Sequence, residues 1–307
     1  MTSAPSQSKE RRIVITGGTG VLGRHLVRHL SQSSPISSLV VLTRDREISS
    51  DNFARTELVE TDYSKEHLAE VLTSADAVVH LAASRSSSPD VAEHLPSLQL
   101  ADDVFAAASS SSIPIIYASS ISVYGTDSNQ PWIETMTPQA RMPYGVLKLA
   151  AERLGARRAE KADIRFVALR LGHLYGAGES NGYMINTFMD QACVNSDLHL
   201  HAPSVARRDY LYAGEAARAI ELGLDSSASG VFNIGSGKPA TNREMAEAVI
   251  AGFESRSAIV IDNPEGQEGI LPTEMDIRFA VKGLKFTPRY SHLEAFREIR
   301  AIASEVS

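Results

Sequence analysis

Apolar and polar residues follow two rhythms along this chain. Short runs of β-rich residues recur: "RIVITG" (12–17), "SLVVLT" (38–43), "TELVET" (56–61), "AVVHLA" (77–82) and "IPIIYAS" (113–119). Between them lie helix-length stretches with one apolar face, such as "VLGRHLVRHLSQ" (21–32), "KEHLAEVLT" (65–73) and a stretch ending near Ala108. Apolar runs without polar alternation are what strands covered on both faces of a parallel sheet require. Their alternation with helices predicts an α/β fold built on a doubly wound parallel sheet. "IRFVALRLGHLYG" (164–176) and "GVFNIG" (230–235) read as further strands, and the alternation weakens from about Gly176. The pattern therefore assigns residues 1–175, with 211–240 returning to it, to one domain. Residues 176–210 and 241–307 form a smaller lobe over the strand ends. No internal repeat of fixed period is present.

The first predicted strand runs into "TGGTGVLGRHL", with Gly17, Gly20 and Gly23 three residues apart. A glycine turn lets backbone approach a pyrophosphate, and the following helix N-terminus offers free N–H groups and a positive dipole. Because the triplet follows a strand and opens a helix, it predicts dinucleotide binding, with Gly17, Thr19, Gly20, Val21, Leu22 and Gly23 as contacts. The fold expected is a Rossmann-like doubly wound parallel sheet with a smaller C-terminal substrate-binding lobe.

The second strand commonly ends in an acid that holds the ribose hydroxyls of NAD, whereas an arginine accommodates the extra phosphate of NADP. Here Thr43 stands at that place, followed by Arg44, Asp45 and Arg46. Two guanidiniums suit a phosphate better than a diol, which favours NADP. NAD, with Asp45 serving the ribose, is the alternative. Asp62, at the end of the third strand, is expected near the adenine, with Ser64 a candidate cap for the helix after it.

Composition narrows the field little. The 307 residues suffice for a real core, and 43% hydrophobic with 22% charged residues is ordinary for a globular protein. A net charge of -7 argues against general nucleic-acid binding, so an anionic ligand must be met by local donors. No window approaches 18 apolar residues, so no membrane span is expected, and the polar "MTSAPSQSKERR" start reads as a frayed terminus. One cysteine, Cys193, cannot form an internal disulfide. This fits a reducing, cytoplasmic setting, and the residue type predicts a small buried position. No metal site is assigned.

"PYGVLK" (143–148) places Tyr144 and Lys148 four residues apart where an alanine-rich helix begins. Residues i and i+4 share one helix face, and a nearby cation favours a phenolate over the phenol, whose free pKa is about 10. The pair reads as a proton-transfer device; a core tyrosine beside a surface lysine is the other reading.

"TGGTGVLG", "HLAA" (80–83), "SSISVYG" (119–125), "YGVLK", "LRLGHLYGAG" (169–178), "RRDYLYAGEAARAI" (207–220) and "FNIGSG" (232–237) come in that order over almost the whole chain. Taken together they resemble the extended short-chain dehydrogenase/reductase family, which holds UDP-galactose 4-epimerase, nucleotide-sugar dehydratases and ketoreductases. The resemblance implies Tyr144 as general acid/base and Lys148 as its modulator and a holder of the nicotinamide ribose. Ser120 would hydrogen-bond the same substrate oxygen, with Ser119 and Ser122 in support and Ser122 facing the substrate. His80 is expected to pack at a strand end while Leu81, Ala82 and Ala83 line the cofactor cleft. It further implies a homodimer through the Tyr144 helix and the one before it.

Three departures qualify the resemblance. The acidic pair that dehydratases carry after the catalytic hydroxyl is replaced by Ser120, Ile121 and Ser122, which argues against elimination. His173 stands where relatives carry a substrate-binding asparagine. Arg208 matches an arginine that contacts the substrate diphosphate, with Arg207 a possible helper, but the second such arginine is absent and Gln267 or Glu268 stands roughly there. Arg85 and Arg278 are candidates to compensate. The reading is a reductase of a nucleotide-sugar carbonyl; a nucleotide-sugar 4-epimerase with tightly bound NAD is the alternative, and a non-catalytic NAD(P)-sensing protein is the alternative of another class.

Overall fold

A computed structural model describes residues 11–32, 36–44, 56–84, 86, 88–125, 130–179 and 182–306. Seven strands form one sheet: β1 (Arg11–Thr16), β2 (Ile36–Thr43), β3 (Thr56–Glu60), β4 (Ala77–His80), β5 (Ile115–Ser120), β6 (Phe166–Leu171) and β10 (Gly230–Ile234). Their order across the sheet is β3-β2-β1-β4-β5-β6-β10, and every pairing is parallel.

Alternate residues of each strand feed opposite cores. Ile13, Ile15, Val41 and Val79 face α1 (Val21–Gln32) and α6 (Ala213–Asp225), while Val14, Val40, Val78 and Ile115 face α2 (Lys65–Thr73), α3 (Leu95–Ser110) and α4 (Pro143–Ala162). Both faces of the sheet are dry, and this is why the strands carry unbroken apolar runs. Strand order reverses between β1 and β4, which opens a crevice at the carboxyl ends of the strands.

One apolar run splits. β6 ends at Leu171, and β7 (His173–Tyr175) leaves the sheet to pair with β9 (Tyr210–Tyr212). Gly172 is the pivot: a Cβ there would lie 2.8 Å from the Asp209 carbonyl oxygen. The departure carries the chain into a second layer, where α5 (Met184–Cys193), α7 (Asn242–Phe253) and α9 (His292–Val306) pack around Tyr175, Phe188, Met245 and Phe296. A short pair of β8 (Leu198–Leu200) with β11 (Ile259–Ile261) completes this layer, and α8 (Arg278–Leu284) returns to cover β10.

Cys193 is exposed rather than buried. Ile185, Phe188, Met189 and Ala192 already form the inward stripe of α5, and Cys193 falls one position past it. Among the described residues no helix is long and apolar enough to cross a membrane.

Candidate active site

A cleft of about 1290 Å³ lies over the carboxyl ends of the strands. Its floor is the β1–α1 turn. Gly17 has φ +71°, and a Cβ there would stand 2.6 Å from the Ala82 nitrogen; one on Gly23 would stand 2.3 Å from the Gly17 carbonyl oxygen. At Gly20 the nearest atom would be 3.4 Å away, so the glycines at 17 and 23 are demanded by packing, whereas Gly20 leaves the loop open toward the cleft. The helix starts at Val21 with no acid in its first turn, so its dipole and orphan N–H groups are available to a pyrophosphate. This cradle fits a dinucleotide.

Thr19, Val21, Leu22, Leu81, Ala82 and Ala83 line the same space, as does Arg44 at the end of β2. The Arg44 guanidinium sits 6.0 Å above the ring of Tyr63, another wall residue. Tyr63 in turn donates its hydroxyl to the Leu42 carbonyl at 2.9 Å. Asp62 does not line the cleft. Its carboxylate accepts the Ser64 N–H at 2.8 Å, which holds it below the usual carboxylate range, and Ser64 caps α2. Asp45, Arg46 and Arg85 lie outside the described residues.

Tyr144 and Lys148 stand one turn apart on α4, and both line the cleft. Lys148 is 6% exposed, donates to the Ala118 carbonyl at 2.7 Å and has its ammonium 5.7 Å from the Tyr144 ring centre. Between them, Gly145 lets α4 close on the serine turn: a Cβ would meet the Ser122 carbonyl oxygen at 2.1 Å. Ser120 ends β5 and its Oγ accepts the Ser122 N–H at 3.1 Å, with the two hydroxyls 3.2 Å apart. Ser119 turns the other way and donates to Glu152 at 2.5 Å. Glu152 and Arg170 form a two-pronged ion pair at 3.0 and 2.7 Å, each side chain 3% exposed, that pins α4 to β6.

The far wall carries Arg208 and His173. One Arg208 amine, Nη2, lies 3.0 and 3.2 Å from the two His173 ring nitrogens, and the Thr273 hydroxyl is 3.0 Å from Nε2. Burial, reinforced by the Arg208 charge, lowers the His173 pKa to about 3, so the ring is neutral. It positions Arg208 rather than presenting a charge of its own. The Arg208 Nε is buried without a hydrogen-bond partner among the described residues.

Arg207 points away, bound to the Pro239 carbonyl at 3.0 Å and paired with Glu244. Arg278 is 87% exposed and paired with Asp276. Glu268 accepts from the Val205 and Ala206 N–H groups, both at 2.8 Å, and so ties a loop instead of meeting a substrate. Tyr63, Gly145 and Glu152 were not singled out from the sequence. Of these only Gly145, inside "PYGVLK" at the start of a helix, carried a local signal.

Three histidines held neutral by desolvation set an acid limit on the stability of the fold. Burial is the largest cause in each: His25 is lowered to about 4, His80 to about 3 and His173 to about 3. Their folded values lie below the ordinary 6.5, so the unfolded chain binds more protons and stability falls as pH drops through 6.5 toward 4. Each histidine contributes at most about 1.4 kcal/mol per pH unit in that window. Urea unfolding should show a clear loss between pH 7 and pH 5, and equal stability at the two would contradict neutral burial.

The family model described as "NAD dependent epimerase/dehydratase family" matches residues 13–235. The solved UDP-N-acetylglucosamine 4-epimerase from Bacillus cereus superimposes with a TM-score of 0.87 at 35% identity, covering 97% of this chain and 98% of that one. The dTDP-6-deoxy-L-talose 4-dehydrogenase (NAD(P)(+)) of Kitasatospora kifunensis is 28% identical, covering 94% of each chain. The UDP-glucose 4-epimerase of Neisseria meningitidis serogroup B is 27% identical over 82% of this chain and 84% of its own.

Proposed function

The chain belongs to the NAD dependent epimerase/dehydratase family, and from that premise we propose that it is a nucleotide-sugar 4-epimerase. The observation that carries the reading is a single cleft lined by the glycine turn, the Ser120–Tyr144–Lys148 set and Arg208. Tyr144 takes the proton of a sugar hydroxyl, Ser120 hydrogen-bonds the same oxygen, and Lys148 steadies the phenolate. The glycine turn and Lys148 would hold a nicotinamide dinucleotide, whose ring would supply reversible hydride acceptance at the carbon bearing that oxygen. Tyr144 then gives its proton back, so atoms and electrons balance without a co-substrate. Arg208 holds the nucleotide phosphates, positioned by neutral His173. The likeness to the Bacillus cereus 4-epimerase supports this assignment.

A second reading, a reductase or dehydrogenase using NADP, is favoured by Arg44 at the end of β2 and by the likeness to the Kitasatospora enzyme. One experiment separates them. An epimerase should purify with bound dinucleotide and turn over with none added, whereas a reductase should consume NADPH in step with product. Mass spectrometry of the copurified ligand reads NAD against NADP directly. With the same reading goes a homodimer through α3 and α4, whose outer faces expose Leu95, Val146 and Leu154; light scattering measures it.

A further inference from the structure

A second, small cavity of about 20 Å³ adjoins the cleft, and Tyr144 and Lys148 line both. That is room for one water. His80, at the end of β4, and His94, just before α3, also line it, and they are 1% and 2% exposed. The Thr16 hydroxyl oxygen receives the Ala82 N–H at 3.4 Å and lies 2.7 Å from His80 Nδ1. With the Thr16 hydroxyl donating to Nδ1, the His80 proton sits on Nε2. Burial keeps this ring neutral. Its Nε2 is a buried group with no hydrogen-bond partner among the described residues, which calls for a water. His94 Nε2 donates to the Ser88 carbonyl at 3.1 Å, which leaves Nδ1 as an acceptor. The residue stands at the N-cap of α3 yet makes no side-chain cap bond, and its ring centre is 6.5 Å from that of Tyr144.

We propose that this cavity is a water site and that its water, accepting from His80 and donating to His94 and to the Tyr144 oxygen, is a working part of the proton-transfer machinery. Three hydrogen bonds are the usual complement of a buried water. A donor aimed at a phenolate favours the charged form, so the water acts alongside Lys148 to keep Tyr144 ready as a base. His80 and His94 are positioning residues in this scheme. The titratable groups facing His94 are Tyr144 and Lys148 of α4, His80 of β4, Tyr117 of β5 and neighbouring Glu93. The proposal rests on Tyr144 as the base.

The test is the pH dependence of turnover in His94→Phe and His94→Gln. His94→Phe should move the acid limb up by about one pH unit, an about tenfold loss at neutral pH regained in alkali, with KM within about twofold. His94→Gln, whose amide oxygen still accepts from the water, should recover most of it. An unshifted limb in His94→Phe, or an equal pH-independent loss in both variants, would overturn the proposal. If His94→Phe fails to fold, a high-resolution crystal structure of the unaltered protein decides: a water within hydrogen-bond distance of His80 Nε2 supports it, and none there overturns it. Inactive Tyr144→Phe together with an unshifted His94→Phe limb sinks this proposal alone and leaves the functional reading standing.

Discussion

Replacing Tyr144 with phenylalanine is expected to lower turnover by about 10² to 10⁴ while the bound dinucleotide is retained. The range is what a positioned acid/base typically contributes to a rate. The substitution removes one oxygen from a side chain that is only partly exposed on the cleft wall, and it leaves the glycine turn and the Lys148 bond to Ala118 in place. Cofactor retention and folding should therefore be nearly unchanged, and the loss should appear in kcat at every substrate concentration. Lys148→Met makes a useful contrast, because it removes the cation near the phenol and a buried hydrogen bond together. Wild-type turnover in Tyr144→Phe would remove the phenol from the chemistry and with it the epimerase reading.

Glu152→Ala should cost about 3 to 5 kcal/mol of folding stability, the usual loss when one member of a buried ion pair is removed. Both its oxygens hold the Arg170 guanidinium, and one also receives the Ser119 hydroxyl. After truncation Arg170 keeps the Tyr124 hydroxyl at 2.9 Å and the more distant charge of Glu134, but loses the carboxylate hydrogen-bonded to a side chain that is 3% exposed. The effect reaches the chemistry because Glu152 lies on α4 one turn beyond Lys148, and Ser119 directly precedes Ser120. Replacing both partners by apolar residues, Glu152→Leu with Arg170→Met, should be far milder, since no bare charge remains. Denaturant titration of the two variants checks this; a loss below about 1 kcal/mol in Glu152→Ala would mean that water reaches Arg170 and screens it.

The structure bears out the fold expected from the sequence: parallel strands, doubly wound, with a glycine turn after the first. Those features are local. An unbroken apolar run can be satisfied only by a strand covered on both faces, and closely packed glycines after it admit no side chain. The Tyr144–Lys148 pair was equally legible, because helical spacing alone puts the two on one face.

Which polar residue meets a ligand was decided elsewhere. Arg207 and Arg208 are adjacent in sequence, and in extended backbone adjacent side chains take opposite sides. Only the bridges from Arg208 to Ala240 and Thr273, far along the chain, fix which one turns to the cleft. Glu268, which stands roughly where the second diphosphate arginine is missing, is claimed by backbone donors 62 and 63 residues earlier. His94 and Tyr63 carry no motif and gain their places by packing. What the sequence determined by itself was the order of elements and the chemistry on a single helix or turn, since both depend on neighbours within a few residues. The tertiary structure alone decided which charges are buried, neutralised or left free, because desolvation and pairing are set by groups that only folding brings within hydrogen-bond reach.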